Sequence, residues 1–291
     1  MQFTRYTFLV LFSSLWIFLT GCEHRDTDPV NGVRIKLDWD KLTGRTPKDK
    51  WVIIYPEDRS LKPLLHKMSE DELVDSLPVG HYNILMFAMD KEVTCHEFID
   101  MKEFESATMV LKGPIKDWQY PNPEMVYGAQ ASIDLINNKV ETISLIPKSL
   151  VMKVAFTIRI PGIHELHACL KGIPTAIRLK DLSPVYVDPQ NCIELVSEYV
   201  DHVLSLSGAI LMPNNLKSGT RVLDTIALLL EIDITYDDGS TEKIGVDVTK
   251  VIYNAASDES EEVVFNLEKV GMSAMIVGWT TENTGGEVIV Q

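Results

Sequence analysis

Side chains that can hold a metal ion fall together at two places in the sequence. At the first, Cys95, His96 and Glu97 are consecutive and offer a thiolate, an imidazole and a carboxylate, all of which bind zinc. Successive residues of a strand point to opposite faces, so these side chains should not face one ion unless a loop places them together. Structural zinc sites also combine a closely spaced ligand pair with a distant one. The sequence therefore predicts no metal site here.

The second place is His164-Glu165-Leu166-His167, directly after Pro161-Gly162. The helical zinc motif His-Glu-x-x-His needs its two histidines one residue further apart, on a single helix face. We expect solvated turn histidines instead. The sequence also contains no Gly-x-Ser-x-Gly, Walker or Gly-x-Gly-x-x-Gly motif. We therefore predict no catalytic residue, no cofactor and no enzymatic activity.

Composition limits the binding partners. The chain has 27 basic and 42 acidic residues and a net charge of −15, which makes a nucleic-acid phosphate backbone a poor partner. The acidic turn 237–242 has too few ligands at the spacing of a calcium loop. Trp118, Tyr120 and Tyr127 lie in or beside a proline-rich loop and could stack on a sugar ring. Covering a core edge is the more common role of such residues.

Cysteine usage leaves one pairing open. Apart from Cys22, the chain holds Cys95, Cys169 and Cys192, and an odd number cannot all pair. Cys169 and Cys192 could form a disulfide, because both lie in the second half of the chain. Buried free thiols are at least as well supported, since a free cysteine packs as a small apolar residue.

Cys22 closes a segment with the features of an export signal. Arg5 precedes an apolar run over 6–19, which is shorter than the roughly 20 apolar residues of a membrane-spanning helix. The run ends in Leu19-Thr20-Gly21-Cys22, which resembles the lipobox of bacterial lipoproteins. The resemblance implies cleavage between Gly21 and Cys22, lipid (palmitate among its acyl chains) on the Cys22 thiol, and attachment to the outer membrane. A plain signal peptide or a short transmembrane anchor is the alternative.

Beyond residue 31 the apolar residues mostly recur with period two, which predicts strands. The stretch 33–39 alternates, whereas 51–55 and 83–88 are continuous apolar runs that indicate strands buried on both faces. An Asp-Gly hairpin turn is predicted at 237–240. Further strands are predicted at 107–111, 141–146, 150–160, 203–211, 224–236, 242–248, 263–267, 275–279 and 287–290. A helical turn is expected within 69–77, helices at 191–200 and 249–255, and a loop at 113–123.

These elements predict an all-β chain in two antiparallel sandwiches, because no βαβ rhythm suggests a parallel sheet. Removing 1–21 leaves a length suited to two domains. We place a lipidated tether at 22–31, a first β-sandwich domain at 32–147 and a second at 148–291, with the boundary at Pro147.

The order of these elements resembles an uncharacterised family of surface lipoproteins in the fimbrillin superfamily, the subunits and anchors of type V pili. The resemblance implies two tandem transthyretin-like sandwiches and a non-enzymatic accessory, anchor or tip subunit in cell adhesion, with other pilus subunits as partners. A surface glycan-binding lipoprotein is the alternative, and a lipid-anchored hydrolase has the least support. The residues that carry the resemblance are the lipobox, 33–39, 51–57, 77–82, 170–174, 236–240 and 246–249.

In polymerising members of that superfamily, a strand from one subunit completes a groove in the next, so the resemblance implies β-strand addition. The residues that could form such a strand, or an ordinary edge strand, are Glu287, Val288, Ile289 and Val290. Shaft subunits lose their first strand to a protease that cuts after arginine or lysine, and Arg45 in the basic stretch 41–50 could be that site. A chain that keeps its lipid and first strand would suit an anchor.

Overall fold

The computed structural model describes residues 31–40, 42, 46–89, 95–185, 188–212, 227–257, 260–270, 273–281 and 288–289. The described chain is almost entirely β, as predicted. None of its described helices is long and apolar enough to cross a membrane. The strands are β1 (Gly32–Leu37), β2 (Asp49–Pro56), β3 (Leu64–Met68), β4 (Glu72–Ser76), β5 (Gly80–Met89), β6 (His96–Ile99), β7 (Thr108–Leu111), β8 (Gln119–Tyr120), β9 (Val126–Leu135), β10 (Val140–Leu145), β11 (Lys148–Ser149), β12 (Val151–Arg159), β13 (Ile163–Lys171), β14 (Ala176–Arg178), β15 (Ser183–Val185), β16 (Cys192–Glu194), β17 (Val196–Val200), β18 (Val203–Leu211), β19 (Leu229–Tyr236), β20 (Thr241–Asp247), β21 (Glu262–Val270), β22 (Ser273–Thr281) and β23 (Val288–Ile289), with helix α1 (Thr249–Ser257) before β21.

These strands form five sheets. Their orders are β10-β1-β4, β11-β9-β5-β2-β3, β15-β14-β7-β6, β20-β19-β13-β16-β8 and β17-β18-β12-β21-β22-β23. Most neighbours are antiparallel, but β1 with β10, β12 with β21 and β8 with β16 are parallel. A tight turn forces two strands to pair antiparallel. These partners are distant in sequence and are connected through other strands, so they can also pair in parallel.

The five-stranded sheet containing β2 and β5 is buried on both faces. Ile54 and Ile84 belong to a smaller core with Val33 and Ile35 of β1. On the other face, Ile53, Leu85 and Phe87 join a larger core that includes Met109 of β7 and Phe156 of β12. This double burial explains why 51–55 and 83–88 are continuous apolar runs, and it confirms that prediction.

Local structure departs from the predictions at two acidic stretches. The expected helical turn within 69–77 is wrong, because β4 pairs there with β1. The expected helix at 191–200 is also wrong, because β16 pairs with β13 and β17 with β18. The helix expected at 249–255 is confirmed as α1, and the Asp247 carboxylate accepts the Thr249 N–H at 2.9 Å in its first turn. The turn at 237–240 is also confirmed, with Gly239 at φ 81° between β19 and β20.

The predicted loop 113–123 adds a short strand to a distant sheet. Its residues Gln119 and Tyr120 form β8, which pairs with β16. Asn122 then bridges two sheets, because its amide donates to the Glu194 carbonyl at 2.8 Å and accepts the Ala209 N–H at 2.9 Å. Gly208 permits this approach, since a Cβ there would lie 2.9 Å from the Asn122 oxygen and 2.6 Å from the Leu195 side chain.

Contacts between the first half (32–147) and the second half (148–291) are extensive. The four-stranded sheet combines β6 and β7 of the first half with β14 and β15 of the second. The larger core likewise holds residues of both halves. The division into two domains at residue 147 stays a prediction.

The stacked pair Phe156–Phe265 allows a test of the larger core. Both rings are fully buried, and their centroids lie 4.7 Å apart at an interplanar angle of 19°. We expect Phe156→Ala to lower the free energy of unfolding by about 3–5 kcal/mol, because it removes buried apolar area and leaves a cavity. Val196→Ala is the control and should cost less than about 0.5 kcal/mol, since Val196 is 68% exposed. Urea denaturation measures both, and equal midpoints would contradict the core assignment.

Candidate assembly strands

The first strand is paired along both of its edges. β1 runs parallel to β10 from Gly32 to Leu37 and antiparallel to β4 from Gly32 to Lys36. Val33, Ile35 and Leu37 are buried in the smaller core. Burial of such side chains contributes roughly 1.5–3 kcal/mol each. β1 therefore occupies the position between β4 and β10 that an added strand would otherwise take.

Charges on the outer face of β1 favour the same pairing. Arg34 donates a hydrogen bond to Glu72 of β4, and the Lys36 ammonium lies 3.5 Å from the same carboxylate. The hydrogen bond from Arg34 holds the pKa of Glu72 below its usual range. Because the Glu72 carboxylate is exposed, this ion pair contributes little stability, but it matches the observed register of β1 on β4.

The second half repeats the plan of the first. Its first long strand, β12, lies between β18, to which it is antiparallel, and β21, to which it is parallel. Phe156 and Ile158 of β12 are buried, as Val33 and Ile35 of β1 are. Each half thus places its first long strand between an antiparallel partner and a later, parallel one.

The predicted carboxyl-terminal assembly strand lies at a sheet edge. Val288 and Ile289 form β23, which pairs with Trp279 and Gly278 of β22. This is the position of an edge strand in the six-stranded sheet, so its role in assembly stays a prediction. The other predicted site residues lie outside the described part of the chain: Gly21, Cys22, Arg45, Glu287 and Val290.

The opposite edge of the six-stranded sheet is formed by β17, which has no second neighbouring strand among the described residues. Val196 is 68% and Val200 55% exposed, and Ser197 and Glu198 between them are exposed too, so this edge is mixed. The β20 edge of the neighbouring sheet is charged, with Lys243 within 3.4 Å of Glu231 and Asp233. Charged side chains protect an edge from further pairing. The β17 edge was not predicted, because 191–200 was expected to be helical.

Cys169 and Cys192 are neighbours on one face of adjacent strands. Cys169 lies opposite Glu194 and Cys192 opposite Lys171, so the two thiols meet diagonally, and both are free. A hydrogen bond from the Cys169 thiol, helped by the Lys171 charge and opposed by burial, lowers the pKa of Cys192 to about 7. The same hydrogen bond, together with burial, raises the pKa of Cys169. Of the two, Cys192 is the one activated toward electrophiles.

Most of the other candidate side chains are not brought together. His164 and His167 lie on β13 rather than in a turn, and both are exposed, His167 lying 3.6 Å from Glu194. Trp118 is 53% exposed, but Tyr127 is buried against Trp39, with ring centroids 6.0 Å apart. A sugar-binding platform built from all three predicted aromatic residues is therefore absent.

Cys95 and His96 were expected to point to opposite faces of a strand, and this expectation is wrong. Their side chains lie together, with the Cys95 sulfur 3.4 Å from His96 Nδ1. Cys95 comes just before β6 rather than inside it, so strand alternation does not separate the pair. The carboxylate that joins them is that of Glu124, not Glu97. No sequence signal links Glu124 to residues so far from it in the chain.

Comparison with known proteins finds a matching domain family and a relative named for fimbriae. The family described as a domain of unknown function, DUF5119, matches residues 21–193. A Bacteroides ovatus protein named "Putative fimbrium anchoring subunit Fim4B" is 40% identical over 95 residues, which are 32% of this chain. The match spans only 28% of that relative's length.

Solved structures share the fold. A "putative adhesin" from Bacteroides ovatus superimposes with a TM-score of 0.60 at 20% identity, covering 80% of this chain and 89% of its own. The fimbrial anchor protein Mfa2 from Porphyromonas gingivalis gives a TM-score of 0.60 at 12% identity, covering 89% of this chain and 99% of its own. These structures confirm the all-β sandwich fold, and the family match confirms that the chain resembles an uncharacterised domain family.

The thiol pair gives a prediction about reactivity. Because the thiolate is the nucleophile, Cys192 should react with iodoacetamide faster than Cys169 or Cys95, with half its maximal rate near pH 7. Cys169→Ala should lower the rate at pH 7, since alanine cannot donate the hydrogen bond that stabilises the Cys192 thiolate. Mass spectrometry of time-quenched digests measures each site. A Cys192 profile centred at or above about pH 8.5, the usual thiol pKa, would contradict the assignment.

Proposed function

The chain belongs to the DUF5119 family, and on that premise we propose that it is a non-enzymatic cell-surface lipoprotein that anchors or caps a fimbria. It would join other fimbrial subunits by β-strand addition, in which main-chain hydrogen bonds supply affinity and alternate side chains supply register. Such a contact needs paired backbones rather than a reacting side chain. The fimbrium-anchoring relative and the shared fold support this role.

The observation that carries the proposal is the closed position of β1. A shaft subunit that loses its first strand presents a groove for the next subunit, whereas here β1 pairs with both β4 and β10. Arg45 follows β1, so cleavage there would separate the lipidated amino terminus and β1 from the rest of the chain. We propose that an anchor keeps this segment uncut, because β1 then connects the lipid to the folded body.

Membrane attachment in this proposal runs through Cys22. Residues 22–31 are polar except for Val30 and suit a flexible tether between the lipid and β1. Each buried methylene of an acyl chain contributes about 0.8 kcal/mol, so two or more chains hold a protein on a bilayer. We place the protein on the outer membrane, with its sheets exposed at the cell surface.

The contact with the next subunit would use the six-stranded sheet. We propose that 287–290 pairs with a partner subunit, starting from the position that β23 holds beside β22. Among the described residues, β23 pairs with β22 through Val288 and Ile289.

The lipid anchor is tested by Cys22→Ser. Without the thiol no diacylglycerol can be attached, so we expect the variant to leave the membrane fraction and to lose labelling by a radioactive fatty acid. Cys169→Ser is the matched control and should remain membrane-bound and labelled. Equal partition of the two variants would contradict lipid attachment at Cys22.

The anchoring role is tested in a strain that lacks the protein. We expect its fimbriae to detach, so that electron microscopy finds fewer on cells and immunoblots find more pilin in the medium. The wild-type chain should restore attachment, whereas Val288→Pro should not, because proline lacks the N–H that strand addition uses. Val196→Pro on β17 is the control for an edge strand not assigned to assembly. Unchanged fimbriae in the deletion strain would refute the anchoring role.

A further inference from the structure

A cluster of three metal-capable side chains lies at the junction of two sheets. Cys95 and His96 stand at the start of β6, and Glu124 lies in the segment that leads into β9. Their ligand atoms all lie within 4.8 Å of one another. Cys95 is only 8% and His96 only 4% exposed, so the cluster is part of the packed structure rather than a chance surface grouping.

Two of the three distances within the cluster match a tetrahedral metal ion. With bonds of about 2.3 Å to sulfur and about 2.0–2.1 Å to nitrogen or oxygen, two ligand atoms at the tetrahedral angle lie about 3.6 Å apart. The Cys95 sulfur is 3.4 Å from His96 Nδ1 and 3.6 Å from a Glu124 carboxylate oxygen. The two separations that involve the sulfur are therefore already close to those of a bound ion.

The ligand set selects the kind of ion. Calcium and magnesium prefer shells of oxygen atoms, whereas a thiolate with an imidazole favours zinc and similar ions. The Nδ1 atom of His96 faces the Cys95 sulfur at 3.4 Å, so it is the ring nitrogen placed to bind the ion. With Nδ1 bound to the ion, the ring proton resides on the other nitrogen.

A catalytic interpretation of the same residues fits less well. In a cysteine–histidine–carboxylate triad the imidazole lies between the thiol and the acid, but here the Cys95 sulfur contacts both partners. The Glu124 N–H also donates to this sulfur, at 3.4 Å.

We propose that Cys95, His96 and Glu124 bind one divalent transition-metal ion of the zinc type, with a fourth position open to water or an outside ligand. The ion would tie the four-stranded sheet, through β6, to the segment that enters β9 of the five-stranded sheet. On binding, the Cys95 thiol loses its proton to solvent and the thiolate forms the metal–sulfur bond.

The test uses the mature protein after treatment with a chelator. Calorimetry with zinc chloride should give one ion per chain, and cobalt(II) should give the visible bands of a tetrahedral site with a thiolate-to-metal band in the near ultraviolet. Cys95→Ser, His96→Ala and the milder Glu124→Gln should each weaken zinc binding by at least about tenfold. Zinc should raise the melting temperature of the wild type but not that of these variants.

Matched controls separate this cluster from other ligands. Cys169→Ser disrupts the Cys169–Cys192 thiol pair, and His167→Ala removes an exposed histidine. Both variants should bind zinc as the wild type does. Circular dichroism of each metal-free variant checks its folding, and Glu124→Gln keeps the side-chain shape if the other two variants fold poorly. Unchanged zinc affinity in folded Glu124→Gln and Cys95→Ser, or loss of binding in Cys169→Ser instead, would overturn the assignment.

Discussion

The sheet β11-β9-β5-β2-β3 is buried on both faces, and this burial fixes which strands must pack against it. Ile54 and Ile84 lie in the smaller core, while Ile53 and Leu85 lie in the larger one. Both faces must therefore be covered, one by the sheet that contains β1 and the other by strands from both halves of the chain. Exposing either face would cost about 25 cal/mol for each Å² of apolar surface. Folding therefore requires β1 in this position, independently of any part that it plays in assembly.

Alternation and continuous apolar runs predict about half of the described strands, because each pattern reports which faces of a strand are buried, whereas β9 is not predicted. The hairpin at 237–240 was equally clear, since an Asp-Gly pair carries its own backbone preference. Prediction failed at 69–77 and 191–200, where pairing with distant strands decides the structure and local composition does not. The parallel partners of β1 and β12, and the contribution of β8 to a distant sheet, have no local signal at all.

The candidate sites show the same division between local and distant information. The prediction of a lipidation site at Cys22 rests on the residues next to it in the sequence. The pairing of Cys95 and His96 was missed because strand alternation was applied to a residue that precedes its strand. Glu124 is 29 residues from Cys95, and only the folded chain brings it there. For Trp118, Tyr120 and Tyr127 the opposite holds. They are close in sequence, but Tyr127 packs against Trp39 instead.

The double pairing of β1 also has a mechanical consequence. Under the proposed attachment through Cys22, tension from a fimbria would enter the described structure at residue 31, directly before β1. A pull directed along β1 loads the hydrogen bonds to β4 and β10 in shear, so they resist together instead of opening one after another like a zipper. Because β1 is paired on both sides and carries three buried apolar side chains, it is well placed to resist such a load.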